Sequence, residues 1–248
     1  QIFYQANGDK AQSTDNLVIK LTRSASLRLS TFLPEAYNYK ELGETWSAPR
    51  IFRLPNKGAG DKQIKDDIYV AAMGGGYGGR HDGVGSALFI INLEDIATPG
   101  KLEKVIEVQD DPSINIINSI PGSPVVITAD TTRGIKYTGA LVYTNDFEGK
   151  ITKFNLTNME NDGARNPIKI YDQATLLSID ASQENGRYQY HSMDAGVGKT
   201  SKNLWLFSGT GDYERLTFKD SQLDNIMYGF RDKDYPYFKK IDKMMTKL

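Results

Sequence analysis

The chain has 248 residues, and its 30 basic and 31 acidic side chains leave a formal charge of −1. Such a balance gives no global electrostatic reason to bind nucleic acid or an anionic membrane. Cysteine is absent and histidine occurs only at His81 and His191, which excludes disulfides, thiolate metal sites, a cysteine nucleophile and a three-histidine zinc centre. With a mean hydropathy of −0.47, the chain has no apolar run near the ~18–20 residues of a membrane span, so no direct membrane insertion is expected of this segment. Residues 1–7 carry neither a basic nor an apolar leader region, and the sequence reads as a mature piece of a longer parent chain.

From the N-terminus onward the pattern is of strands. Apolar runs of four to seven residues, rich in Val, Ile, Tyr and Phe and bounded by Gly, Asp, Asn or Pro, fall at 16–21, 48–54, 67–73, 86–93, 101–108, 123–128, 139–145, 150–155, 168–171, 203–208 and 226–230. This predicts an all-β fold. Ser86-Ala-Leu-Phe-Ile-Ile-Asn-Leu93 and Lys150-Ile-Thr-Lys-Phe-Asn-Leu156 each follow a Gly-bearing turn and precede a polar loop, so one strand position is being reused. Sequential short meanders of this kind suggest the blades of a β-propeller, and about 40–50 residues per blade gives five or six units. The weakly patterned start leaves an incomplete or irregular ring as the expectation for residues 1–232.

Beyond that domain, Tyr237, Phe238, Ile241, Met244, Met245 and Leu248 recur at spacings of three and four after Pro236, which predicts a short amphipathic helix within 233–248 that packs against the propeller. Polar loops are expected at 56–66, 109–115, 158–166 and 182–190, as solvated insertions of the kind that carry binding residues.

Several motifs promise chemistry that their context denies. Gly74-Gly-Gly-Tyr-Gly-Gly79 matches a dinucleotide fingerprint with Glu94 downstream, but only 80–85 separate it from the next strand, too few for a crossover helix. A turn between antiparallel strands explains the same glycines through positive φ and close backbone approach. Gly196-Val-Gly-Lys-Thr200 resembles the end of a phosphate-binding loop, yet Met193 stands where the first glycine belongs and a strand follows instead of a helix. His191, Ser192 and Asp194 are adjacent in sequence without a nucleophile elbow, and His81 beside Asp82 sits in a Gly-rich turn. Both histidines read as structural or solvated. The sequon Asn155-Leu-Thr157 falls at a strand end and is given no role. No catalytic, cofactor-binding or metal-ligating residue is therefore assigned.

A distributed resemblance runs through the same strands. Leu42-Gly-Glu-Thr-Trp-Ser-Ala-Pro-Arg-Ile51, the Gly-rich turn after Ile68-Tyr-Val-Ala-Ala-Met73, the strand Ala87-Leu-Phe-Ile-Ile-Asn-Leu93, Gly139-Ala-Leu-Val-Tyr-Thr-Asn-Asp-Phe-Glu-Gly149 with Lys150–Leu156, Asn203-Leu-Trp-Leu-Phe-Ser-Gly-Thr-Gly-Asp212 and Ile226-Met-Tyr-Gly-Phe-Arg-Asp232 occur in order. Together they resemble the C-terminal propeller of the PilY/PilC family, the adhesins associated with bacterial type IV pili. Trp46 and Pro49 are the distinctive positions of the first segment, and Trp46 is expected to be buried between blades.

The resemblance implies a non-enzymatic, quinoprotein-like propeller at the bacterial surface, acting in adhesion and pilus biogenesis. Its implied partners are minor pilins or the pilus tip and a host or abiotic surface ligand. Many members of the family bind calcium in an Asp/Asn-rich loop before the Gly-Asp strand, because Ca²⁺ takes six to eight hard oxygen ligands. Counting back from Asp146, the corresponding positions here are Ala140, Thr138, Lys136 and Gly134, and the Lys136 cation opposes Ca²⁺. Calcium is not carried over, leaving Asp130 as the residue a rearranged loop would use. Two alternatives stand beside this reading, a quinoprotein-type propeller dehydrogenase and an outer-membrane assembly scaffold. The dehydrogenase needs a calcium, a catalytic acid and a ring-stacking tryptophan at the axis, and the chain has only two tryptophans.

Overall fold

The computed structural model describes residues 37–55, 67–78, 84–111, 113–128, 137–157, 169–213 and 223–238. The strand expected at 16–21, the helix expected within 233–248, the loops at 56–66 and 158–166, His81 and Asp130 lie wholly or largely outside these residues. Among the described residues there are eleven strands: β1 (Arg50–Leu54), β2 (Ile68–Gly74), β3 (Ala87–Asn92), β4 (Leu102–Glu107), β5 (Val125–Thr128), β6 (Gly139–Asn145), β7 (Lys150–Thr157), β8 (Gln173–Ser178), β9 (Asp194–Val197), β10 (Leu204–Gly209) and β11 (Met227–Asp232). No α-helix occurs among the described residues.

Among the described residues every pairing of named strands is antiparallel and joins chain neighbours. The sheets are β1-β2-β3-β4, β5-β6-β7-β8 and β9-β10-β11 in chain order, three successive meanders without a crossover. In each four-stranded sheet the pairing of third and fourth strands slips, between Ile90 and Ile91 in the first and between Ile151 and Thr152 in the second. This repeated irregularity increases local twist where the outer strand joins. The expectation of an all-β fold of short antiparallel meanders is met, while three sheets rather than five or six units, and no closed ring, occur among the described residues.

Alternation along β6 explains how the sheets stack. Ala140 and Val142 face a core shared with Val70, Ala72, Leu88 and Ile90 of the first sheet. Leu141 and Tyr143 face the other way, into a core shared with Leu204, Leu206 and Tyr228 of the third. A strand buried on both faces reads as a continuous apolar run, which is why Gly139–Asn145 and Ala87–Asn92 were legible as strands. The far face of the first sheet is closed by Tyr39 and Leu42, which pack on Ala71, Met73 and Phe89.

Two strand assignments change. The run at 168–171 is in fact a turn where it is described, with Tyr171 at φ 72°, and Ile170 and Tyr171 pack from the side against the first core. The strand is Gln173–Ser178, whose Ala174, Leu176 and Leu177 enter the second core. Its short, partly polar sequence gave a weaker pattern than the Ile-rich turn. Strand β9 overlaps the start of the stretch that resembled a phosphate-binding loop. Gly196 and Val197 pair with β10, and the Gly198 and Lys202 amides close a hairpin by donating to the Asn203 and Gly198 carbonyls. Likewise β2 and β3 pair directly and antiparallel, the pairing of a hairpin, whereas a crossover joins parallel strands. Gly76 has φ 90°, and a Cβ there would lie 2.5 Å from the Glu44 carbonyl oxygen.

One ion pair is built into the stacking. Lys153 and Asp232 are both buried, with Nζ 2.6 Å from Oδ2. Lys153 also donates to the Tyr237 carbonyl at 2.6 Å, and the Tyr143 hydroxyl donates to Asp232 at 2.7 Å. The pair joins β7 of the second sheet to β11 of the third. Asp232→Ala would strand the Lys153 ammonium in the core and is expected to cost about 3–5 kcal/mol in urea denaturation, whereas Lys153→Met combined with Asp232→Leu should cost far less. An unchanged midpoint for Asp232→Ala would contradict the buried pair.

Candidate functional site

At one end of the stacked sheets, strands β2, β6 and β10 each run out into an aromatic residue: Tyr77, Phe147 and Tyr213. These three belong to a continuous run of rings. Trp46 lies 6.4 Å from Tyr77 between centroids, Tyr77 5.4 Å from Phe147, Phe147 5.7 and 4.6 Å from Tyr188 and Tyr190, Tyr190 5.0 Å from Tyr213, and Tyr213 5.4 Å from His191. The planes are tilted or edge-on, the arrangement that ring quadrupoles favour. All three sheets contribute to this run. Phe147 is buried at its centre, while Trp46 at one end is 63% exposed and Tyr213, beside His191 at the other, is 50% exposed.

Trp46 therefore overturns the expectation that it is buried between blades. The Thr-Trp-Ser segment precedes β1 rather than entering a sheet, and Ser47 rather than Trp46 is the buried member, its hydroxyl accepting from the Gly74 amide at 2.9 Å. The stretch 182–190 also departs from the solvated insertion expected of it. Gln189 is fully buried, and its Oε1 accepts from Asn145 Nδ2 at 3.1 Å and from the Ser208 hydroxyl at 3.3 Å. The Tyr228 hydroxyl donates to the same oxygen. Gln189 thus forms a polar floor beneath Tyr188 and Tyr190. The rings of the run were missed because each lies outside a strand pattern. For Tyr77, Phe147 and Tyr213 the available signal was recurrence a few residues after each second strand, as Gly-Gly-Tyr77, Asn-Asp-Phe147 and Gly-Asp-Tyr213.

The floor is held by the β6–β7 turn. Asp146 Oδ1 accepts from the Lys150 amide at 2.9 Å, and the Gly149 amide donates to the Asp146 carbonyl at 3.1 Å. Gly149 adopts φ 75°, and a Cβ there would meet Ile179 Cγ1 at 2.5 Å, so glycine is required on both counts. The Lys150 ammonium donates to Glu148 and to the Gln109 carbonyl, while Glu148 accepts from the Asp111 amide at 3.2 Å. Burial pushes the Glu148 carboxyl up to about 8 and the Asp146 carboxyl up to about 6, in both cases against the downward pull of Lys150. Asp146 Oδ2 is buried without a hydrogen bond, 3.8 Å from Lys150 Nζ.

This end carries amphipathic rings and hydroxyls. His191 Nε2 lies 2.6 Å from the Tyr213 hydroxyl, and the Ser192 hydroxyl accepts from the Ser123 amide at 2.7 Å. Asp194 Oδ1 accepts from the Ala195 amide, so His191, Ser192 and Asp194 are engaged separately and form no relay. Asn155 of the sequon is fully buried, its Nδ2 donating to the Lys169 carbonyl at 2.9 Å, and it is closed to glycosylation. No group of three His, Asp or Glu able to hold a metal ion occurs among the described residues. Of the positions at which the resemblance would put calcium ligands, Thr138 and Ala140 are described. Neither carries a carboxylate and Ala140 is fully buried, so these residues do not fit that ion.

No protein-family model matches the chain, and no curated protein matches it. Among solved structures it is similar to the crystal structure of the Pseudomonas aeruginosa PilY1 C-terminal domain, at 16% identity and a TM-score of 0.49. The match covers 77% of this chain and 38% of that one, so this chain spans well under half of its length.

Because Asp146 is held above its ordinary value of 3.8, its proton is bound more tightly in the folded chain than in the unfolded one. The stability this gives is complete below that value and is lost as pH rises through about 6. Asp146→Asn keeps the turn acceptor without the charge and is expected to gain on the wild type by roughly 1–3 kcal/mol between pH 5 and pH 8. Parallel stability–pH curves for the two proteins would contradict this.

Proposed function

We propose that this chain is a non-enzymatic, propeller-like domain of a protein displayed with bacterial type IV pili, serving adhesion, pilus biogenesis or both. The observation that carries the reading is the coincidence of the family-like segments with the repeated unit of the fold. The segments around Ala87–Asn92, Gly139–Asn145, Lys150–Thr157, Leu204–Gly209 and Met227–Asp232 form β3, β6, β7, β10 and β11, the paired strands of three successive meanders.

In this reading the sheets are a stiff scaffold and the aromatic end is the contact surface. Trp and Tyr suit that role because they present large, rigid, amphipathic area at low entropic cost. Trp46 and Tyr213 are exposed near its two ends, and the partners are minor pilins or the pilus tip on one side and a host or abiotic surface on the other. No catalytic set and no cofactor enter the proposal.

The test is immunogold labelling of intact and sheared pili together with a surface-attachment assay. Gold at filament ends is expected for the wild type and for Trp46→Ser with Tyr213→Ser alike, with attachment reduced severalfold only in the variant. Gold confined to the cell envelope beside bare pili would overturn the pilus assignment. Unchanged attachment would overturn the role of the aromatic end.

A further inference from the structure

The third sheet has a face that the other sheets do not leave open. On β10, Leu204 and Leu206 point into the second core, and Trp205 and Phe207 point away from it, 40% and 44% exposed. Their rings lie nearly parallel, 17° between planes and 6.3 Å between centroids. On the middle sheet the corresponding outward residues, Leu141 and Tyr143, are fully covered by the sheet that follows.

The register defines what surrounds the two rings. Trp205 pairs with Gly196 on β9 and Arg231 on β11, while Phe207 pairs with Asp194 and Gly229. Residues paired across antiparallel strands share a face, so this face is a small grid. Two aromatic rings occupy its middle strand, glycines stand at two diagonal corners, and exposed Asp194 and Arg231 stand at the other two.

That pattern is complementary to itself. A two-fold axis lying in the face along the glycine diagonal exchanges the acidic corner with the basic one. It sets the strands of two such sheets at about 90°, one of the two arrangements in which sheets pack. Asp194 of each copy then meets Arg231 of the other, and the aromatic strands of both are covered. We infer that this face is an isologous contact between two copies of the chain, with Trp205 and Phe207 at its centre and reciprocal Asp194–Arg231 pairs at its rim. The inference does not depend on the pilus reading.

Sedimentation velocity of the full chain over a range of concentrations tests it. The wild type is expected to form a species of twice 27.7 kDa. Asp194→Arg and Arg231→Asp should each remain single at concentrations where the wild type is paired, and an equimolar mixture of the two variants should restore the doubled species. The mixing step separates lost recognition from lost folding, since misfolded variants could not rescue each other. A wild type that stays single throughout would overturn the inference, as would association unaffected by either charge reversal or a mixture that fails to associate. Single chains whose Trp205 resists acrylamide quenching would show the face covered by the same chain, which also overturns it.

Discussion

The hairpin tip at residues 146–150 is the constraint on which the rest of the loop end depends. It is the turn of the middle sheet, and it reaches both neighbouring segments of the chain. Phe147 donates its amide to Ser119, Lys150 and Glu148 engage Gln109 and Asp111 in the passage from first sheet to second, and Ile179 after β8 donates to the Gly149 carbonyl at 2.9 Å. Each buried charge costs several kcal/mol to desolvate, and pairing returns a similar amount. The Asp146, Glu148 and Lys150 set therefore contributes position more than stability. What it positions is Phe147, the ring about which the aromatic run is assembled.

Stacking follows from a second constraint, the two-sided burial of the middle sheet. Its β6 and β7 are buried along their whole lengths, including the polar side chains Thr144, Asn145, Thr152 and Asn155. Polar groups so placed need partners, and Asn145 finds three in Gln189, the His191 carbonyl and Ser208. Lys153 with Asp232 does the same at the opposite end. Packing between sheets thus carries specific polar ties as well as apolar area, which fixes how the third sheet sits on the second.

Much of this was legible in the sequence, for identifiable reasons. Strands buried on both faces, such as Ala87–Asn92, are apolar throughout and announce themselves, and the glycines at 74–79 were separable from a nucleotide loop by the short distance to the next strand. What stayed hidden was whatever depends on contact between distant segments. Trp46 looked like core because its Thr-Trp-Ser-x-Pro segment reads as the opening of a strand, yet its place before β1 leaves it on the surface. Gln189 lay in a stretch of polar composition, and nothing local marks it as the hub for Asn145, Ser208 and Tyr228. The turn at 169–171 out-competed β8 in pattern because its Ile and Tyr pack sideways rather than along a strand.

The functional reading rests on the same geometry, since a contact surface of exposed rings is useful only if its supports hold still. Native-state hydrogen exchange measures that directly. The amides of Phe147, Lys150 and Ile179 are predicted to exchange as slowly as those of Val142 and Phe154 within the strands, opening only with the sheets themselves. Fast exchange at these three amides while the strands remain protected would contradict the claim that the hairpin tip holds the end of the molecule together.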